Sequence, residues 1–153
     1  MDKIVARHLA VDMYGCKPET LQDDVKLRTS LPSILEQAGF HILSAKIRAL
    51  SNEHTTIMII LHEGHFSLHL YSNIAYVAAD LFLCVEGAAP EKLLQNVRGL
   101  FHPEKFRTTY LRRGDFTSTT DLKPQVKTHV APLRRIHNTG AKVIRLLAHR
   151  RHS

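Results

Sequence analysis

The stretch His65-Phe-Ser-Leu-His-Leu-Tyr71 decides the fold. Phe66, Leu68 and Leu70 point one way and His65, Ser67, His69 and Tyr71 the other, the two-residue period of a β-strand with one apolar face. Just upstream, Thr55 to Leu61 is rich in β-branched residues and reads as a well-buried strand. Just downstream, Ile74 to Cys84 reads as another apolar strand, with Tyr76, Asp80 and Cys84 in phase on one face. Further out, Lys3 to Tyr14 and Phe40 to Leu50 are strand-like, and Phe106 to Arg112 reads as a last strand. Pro18 to Arg28 reads as a helix with Leu21 and Val25 on one face. Ser30 is placed to cap a second helical piece, with Pro32 in its first turn and Gly39 past its end. Pro90 opens a helix to Leu100, striped by Leu93, Leu94, Val97 and Leu100. Strands with interspersed helices predict an α+β fold, a two-layer α/β sandwich on a mainly antiparallel sheet.

The chain has 153 residues, one ordinary domain, with 44% hydrophobic residues, which excludes disorder along the whole length. Lys and Arg number 21 against 14 Asp and Glu, a formal charge of +7. Residues 1–120 carry 13 of each sign, so the excess lies in residues 121–153. There Lys123, Lys127, Arg134, Arg135, Lys142, Arg145, Arg150 and Arg151 face a single acid, Asp121. The expected organisation is a domain over 1–118 and a basic tail over 119–153, partly helical (about Ala141 to His149) or disordered. Such a tail suits nucleic acid or an anionic membrane surface. Two cysteines do not make a disulfide framework, and no leader or membrane-spanning run is apparent, so a cytoplasmic protein is expected.

His62, His65, His69 and Cys84 look ligand-like. His65 and His69, however, lie four residues apart on one strand, about 13 Å, too far to share one ion. No metal site is expected from them. No Gly-rich phosphate loop or Ser-His-Asp arrangement is apparent.

The segments His8-Leu-Ala-Val-Asp-Met-Tyr-Gly-Cys16, Glu63-Gly-His-Phe-Ser-Leu-His69 and Ala79-Asp-Leu-Phe-Leu-Cys84 resemble the short bacterial and archaeal S-adenosylmethionine decarboxylases, over about residues 4–114. The resemblance implies a polyamine (spermidine) biosynthesis lineage, an α/β sandwich that dimerises, and no pyridoxal phosphate. In that family a proenzyme cuts itself at a Glu-Ser bond, and the serine becomes a pyruvoyl group that serves as electron sink for decarboxylation. By the same resemblance, His69 assists processing, Cys84 donates the proton, Thr56 stands for a processing serine, and Glu63 precedes the cut bond. Leu50, Ser67 and Asn73 fall at substrate-binding positions.

Gly64 occupies the place of the pyruvoyl-forming serine. Self-cleavage needs a side-chain oxygen to attack the preceding carbonyl, and glycine has none. No pyruvoyl cofactor is therefore expected. Leu50 stands where the family often stacks a phenylalanine on adenine, Tyr71-Ser72-Asn73 replaces Trp-Pro-Glu, and Val85 replaces a glycine. These departures favour a silent or regulatory homologue that forms a homodimer, binds an S-adenosylmethionine-like ligand or pairs with an active paralogue. Two alternatives stand beside it: a decarboxylase acting on S-adenosylmethionine or another amino acid by an unrecognised route, and a binding module driven by the tail.

Overall fold

In a computed structural model, residues 6–114 and the backbone of 127–130 are described. The elements run β1 (Ala6–Tyr14), α1 (Pro18–Gln22), α2 (Asp24–Gln37), β2 (Ile42–Ala49), β3 (His54–Leu61), β4 (Gly64–Tyr71), a 3-10 turn (Ser72–Ile74), β5 (Tyr76–Leu83), α3 (Glu91–Phe101), β6 (Lys105–Arg113) and β7 (Lys127–Val130). All seven strands form one sheet, ordered β2-β3-β4-β5-β1-β6-β7, with every pairing antiparallel. The expected α+β two-layer sandwich is what forms.

One sheet face carries the core. Leu9, Val11 and Met13 of β1, Ile57, Ile59 and Leu61 of β3, Phe66, Leu68 and Leu70 of β4, and Val77, Leu81 and Leu83 of β5 are buried. They form one cluster with Leu27, Leu31 and Leu35 of α2 and Leu93, Val97 and Phe101 of α3. The helices therefore cover that face, and the odd–even alternation read from Phe66 to Tyr71 is the division between core and outer face.

Four local expectations are corrected. The helix expected over Pro18 to Arg28 breaks at Asp23, whose carboxylate accepts the Lys26 N–H at 2.9 Å and caps α2. Ser30 and Pro32 then lie inside α2. Helix continuity through Pro32 is kept because Leu27, Leu31 and Leu35, spaced by four, bury completely, while the carbonyl that Pro32 leaves without its N–H belongs to exposed Arg28. After the break Val25 turns outward and is 75% exposed. Strand β3 is buried on one face only, since Met58 and Ile60 lie on the outer face and are exposed. Finally, β6 is not the last strand. β7 pairs with it from Arg107↔Val130 to Tyr110↔Lys127, so part of the expected tail joins the sheet. The helix expected near Ala141 to His149, and the tail's remaining basic residues, lie outside the described residues. Among the described residues no helix is long and apolar enough to cross a membrane.

Candidate functional site

The outer face of the sheet holds Thr56, Ser67, His69 and Tyr71, and register arranges them in rows, whereas Gly64 falls in phase with the core residues Leu61 and Leu83. The β3–β4 hairpin turns at His62–Glu63, which pairs Thr56 with His69, His54 with Tyr71 and Leu61 with Gly64. The β4–β5 register adds Gly64↔Leu83, Ser67↔Asp80 and Tyr71↔Tyr76.

At the turn end, Glu63 is buried and heavily bonded. Its carboxylate lies 2.6 Å from His41 Nδ1 and accepts the His41 backbone N–H at 3.1 Å. Burial works against ionisation of Glu63, but these bonds and the charge of His41 outweigh it and hold the carboxyl below its ordinary value. The Glu63 carbonyl accepts the Cys84 N–H at 2.9 Å and the Cys84 S–H at 3.3 Å. Cys84 sits just past β5 and is exposed. A cavity of about 330 Å³ adjoins the turn, lined by Phe40, Glu63, Val85 and Gly87 among others.

Gly64 has φ 149°, in the region that side-chain-bearing residues rarely adopt. A Cβ built there would lie 1.9 Å from the Phe82 carbonyl oxygen and 3.3 Å from the Leu83 Cα. The backbone of β5 thus occupies the space a side chain would need.

At the other end of β4, His69 Nδ1 is 2.9 Å from His54 Nε2 and 3.2 Å from Thr56 Oγ1. His54 stacks on Tyr71 at 4.3 Å with 17° between the rings. The ring row continues through Tyr76 to Tyr14, at 5.8 and 5.1 Å, and ends with Lys105 Nζ 5.0 Å over Tyr14. Tyr76 donates to Asp12, and burial first, then that carboxylate, push its phenol up. Cys16 is buried, which pushes its thiol up to about 11, and it has a packing role.

One chain therefore brings together Glu63, Gly64 and Cys84, and separately His69 and Thr56. Gly64 and His69 are five residues apart on one strand, roughly 17 Å. Ser67 lies between the two clusters and is buried. Leu50 is 59% exposed in the β2–β3 loop, where its N–H donates to the His54 carbonyl. Asn73 is exposed in the 3-10 turn that follows β4. Sequence reasoning missed His41 and His54. The hairpin register centred on His62–Glu63 was a usable signal for His54; His41 had none, because its bond to Glu63 spans 22 residues.

The family model for S-adenosylmethionine decarboxylase matches residues 7–114. The chain is 26% identical over 112 residues to the S-adenosylmethionine decarboxylase proenzyme of Methanococcus vannielii, which covers 73% of this chain and 92% of that protein. It is 30% identical over 108 residues to the proenzyme of Brevibacillus brevis, covering 71% and 81%. The crystal structure of the adenosylmethionine decarboxylase from Aquifex aeolicus shares the fold, with a TM-score of 0.67 at 16% identity, over 78% of this chain and 99% of that one. With the family model matching residues 7–114 and the fold shared, this chain belongs to the S-adenosylmethionine decarboxylase family.

Proposed function

We propose that this protein is a family member that does not cut itself and has no pyruvoyl group: a silent homologue, of the polyamine-biosynthesis lineage, that keeps an S-adenosylmethionine-like ligand site. The observation that carries the reading is Gly64. It offers no oxygen to attack the Glu63 carbonyl, and its missing Cβ would fall 1.9 Å from the Phe82 oxygen. The carbonyl itself is tied to Cys84 by two hydrogen bonds. Intact-mass spectrometry tests this. A single 17.4 kDa species is expected. Two fragments divided after Glu63, the second blocked by a pyruvoyl group, would overturn it. Carboxyl-labelled S-adenosylmethionine should release no carbon dioxide; release from an uncut chain would favour the alternative, a decarboxylase using another route.

The working unit of this reading is a cytoplasmic homodimer, or a pair with an active paralogue. Two observations support it. Met58 and Ile60 leave apolar area exposed on the outer face, 44% and 48% of each residue. The His69 cluster on that face and the Gly64 turn lie too far apart along β4 to act on one ligand within one chain. A second copy stacked on this face about a two-fold axis perpendicular to β4 would set the His69 end of one strand over the turn end of the other. Sedimentation should give a two-copy mass that Met58→Glu reduces to one; a wild-type monomer at micromolar concentration removes the dimer.

A further inference from the structure

The β3–β4 hairpin aims two imidazole nitrogens at one point. His54 Nε2 and His69 Nδ1 are 2.9 Å apart, with Thr56 Oγ1 3.2 Å from the same His69 nitrogen. All three project from the outer face, because Thr56 is the register partner of His69 and His54 lies one outer-face position along β3. Stacking on Tyr71 fixes the plane of the His54 ring. No described residue bonds His54 Nδ1 or His69 Nε2. The separation that prevents His65 and His69 from sharing an ion, four residues along one strand, does not apply across two strands.

We propose that His54 and His69 form a two-imidazole chelate for a divalent transition-metal ion of the zinc or copper class. In the metal-free pair one imidazole N–H donates to the lone pair of the other, so a proton sits between two bases. A metal ion takes that proton's place, the donor ring carrying its proton on its other nitrogen through exchange with solvent, and each ring then gives a lone pair to the ion. Two nitrogens at 2.0–2.1 Å from a tetrahedral ion are about 3.3 Å apart. The 2.9 Å gap therefore has to open by only a few tenths of an ångström, with a small tilt of two half-buried rings. Imidazole donors favour zinc, copper and nickel over magnesium and calcium. The Thr56 hydroxyl lies beside the chelate, where it can bond a water on the ion. Three charged residues share this row of the outer face: Arg48, register partner of Thr56, and Arg107, at the far side of Asp12, oppose a cation, and Asp12, beyond Ala78, favours one.

The test uses the full chain with zinc or copper(II) as the only added ion. The chain has 11 histidines and no tryptophan, so variants must separate this site from the rest. Calorimetry with zinc should show one saturable equivalent per chain. Copper(II) should quench tyrosine emission, because three of the four tyrosines, Tyr71, Tyr76 and Tyr14, lie in the ring row that begins at His54. His54→Gln and His69→Gln should each weaken that equivalent at least about tenfold, since losing even an outer-shell partner costs about 10–100-fold. His65→Gln should leave it intact. Zinc should also raise the melting temperature of the wild type and of His65→Gln, and of neither other variant. Wild-type affinity in both His54→Gln and His69→Gln, or an equal loss in His65→Gln, would show adventitious binding and overturn the chelate. If His69→Gln fails to fold, His54→Gln, at the first residue of β3, decides alone.

Discussion

Gly64→Ala adds one carbon at the point where the structure has least room. That carbon would stand 1.9 Å from the Phe82 oxygen, a backbone atom that cannot swing aside as a side-chain tip would. Two costs combine. Holding a residue with a side chain at φ 149° costs about 1–3 kcal/mol. Forcing β5 to give way costs about 1–3 kcal/mol more, the usual range for overpacking. The expected loss is therefore about 2–6 kcal/mol, against a total stability of about 5–15 kcal/mol. With a urea slope of about 2 kcal/mol/M, the midpoint should fall by roughly 1–3 M. Equilibrium urea denaturation followed by circular dichroism measures it. Gly64→Ser should be destabilised to the same degree and remain one uncut chain by mass. A Gly64→Ala midpoint within about 0.3 M of wild type, a change of only about 0.6 kcal/mol, would mean that the strand yields freely at this position and that the close approach of β5 carries no cost. A cleaved Gly64→Ser would go further and show that the processing geometry survives.

The acid response should centre partly on Glu63. Its folded value lies below the ordinary 4.5, so it adds stability that is present above about pH 4.5 and is lost as pH falls through the lower folded value. Glu63→Gln should flatten that limb of a stability–pH curve and cost about 1–3 kcal/mol at neutral pH, the cost of unpairing buried polar groups. Asp23→Ala removes the acceptor for the Lys26 N–H and should cost about 0.5–2 kcal/mol by thermal denaturation. Phe66→Ala opens the fully buried centre of the sheet–helix layer and should cost about 3–5 kcal/mol by urea denaturation.

The elements that could be read from sequence are those whose pattern is local. Phe66, Leu68 and Leu70 alternate with polar residues because one face meets helices, and three consecutive pairs suffice to see it. The Asp23 break is different. Asp23 and Ser30 are both good capping residues, and the choice between them depends on whether Leu27, Leu31 and Leu35 reach a core assembled from distant strands. Strand β7 is likewise invisible locally, since Lys127 to Val130 gains its partner from β6. The same division holds in the site. The lost hydroxyl at Gly64 is legible from one letter. The filled space beside it depends on the register of β5, and the His41 bond to Glu63 on how β2 begins.

On the reading proposed above, the two ends of β4 bear on self-processing in different ways. At the turn, cleavage requires that the Glu63 carbonyl be reached by an oxygen on the next residue. Here that residue has no side chain, its backbone rests against Phe82, and the carbonyl and carboxylate of Glu63 are bonded to Cys84 and His41. A hydroxyl restored at position 64 would therefore meet a turn already committed elsewhere. At the far end, His69 Nδ1 is shared with His54 and Thr56, and its Nε2 has no bond from a described residue. On the proposed reading there is no bond to cut, so nothing opposes a second imidazole at Nδ1. Gly64→Ser combined with His54→Gly, which frees the His69 nitrogen and adds backbone freedom only at the start of β3, is the smallest pair on which to look for regained cleavage.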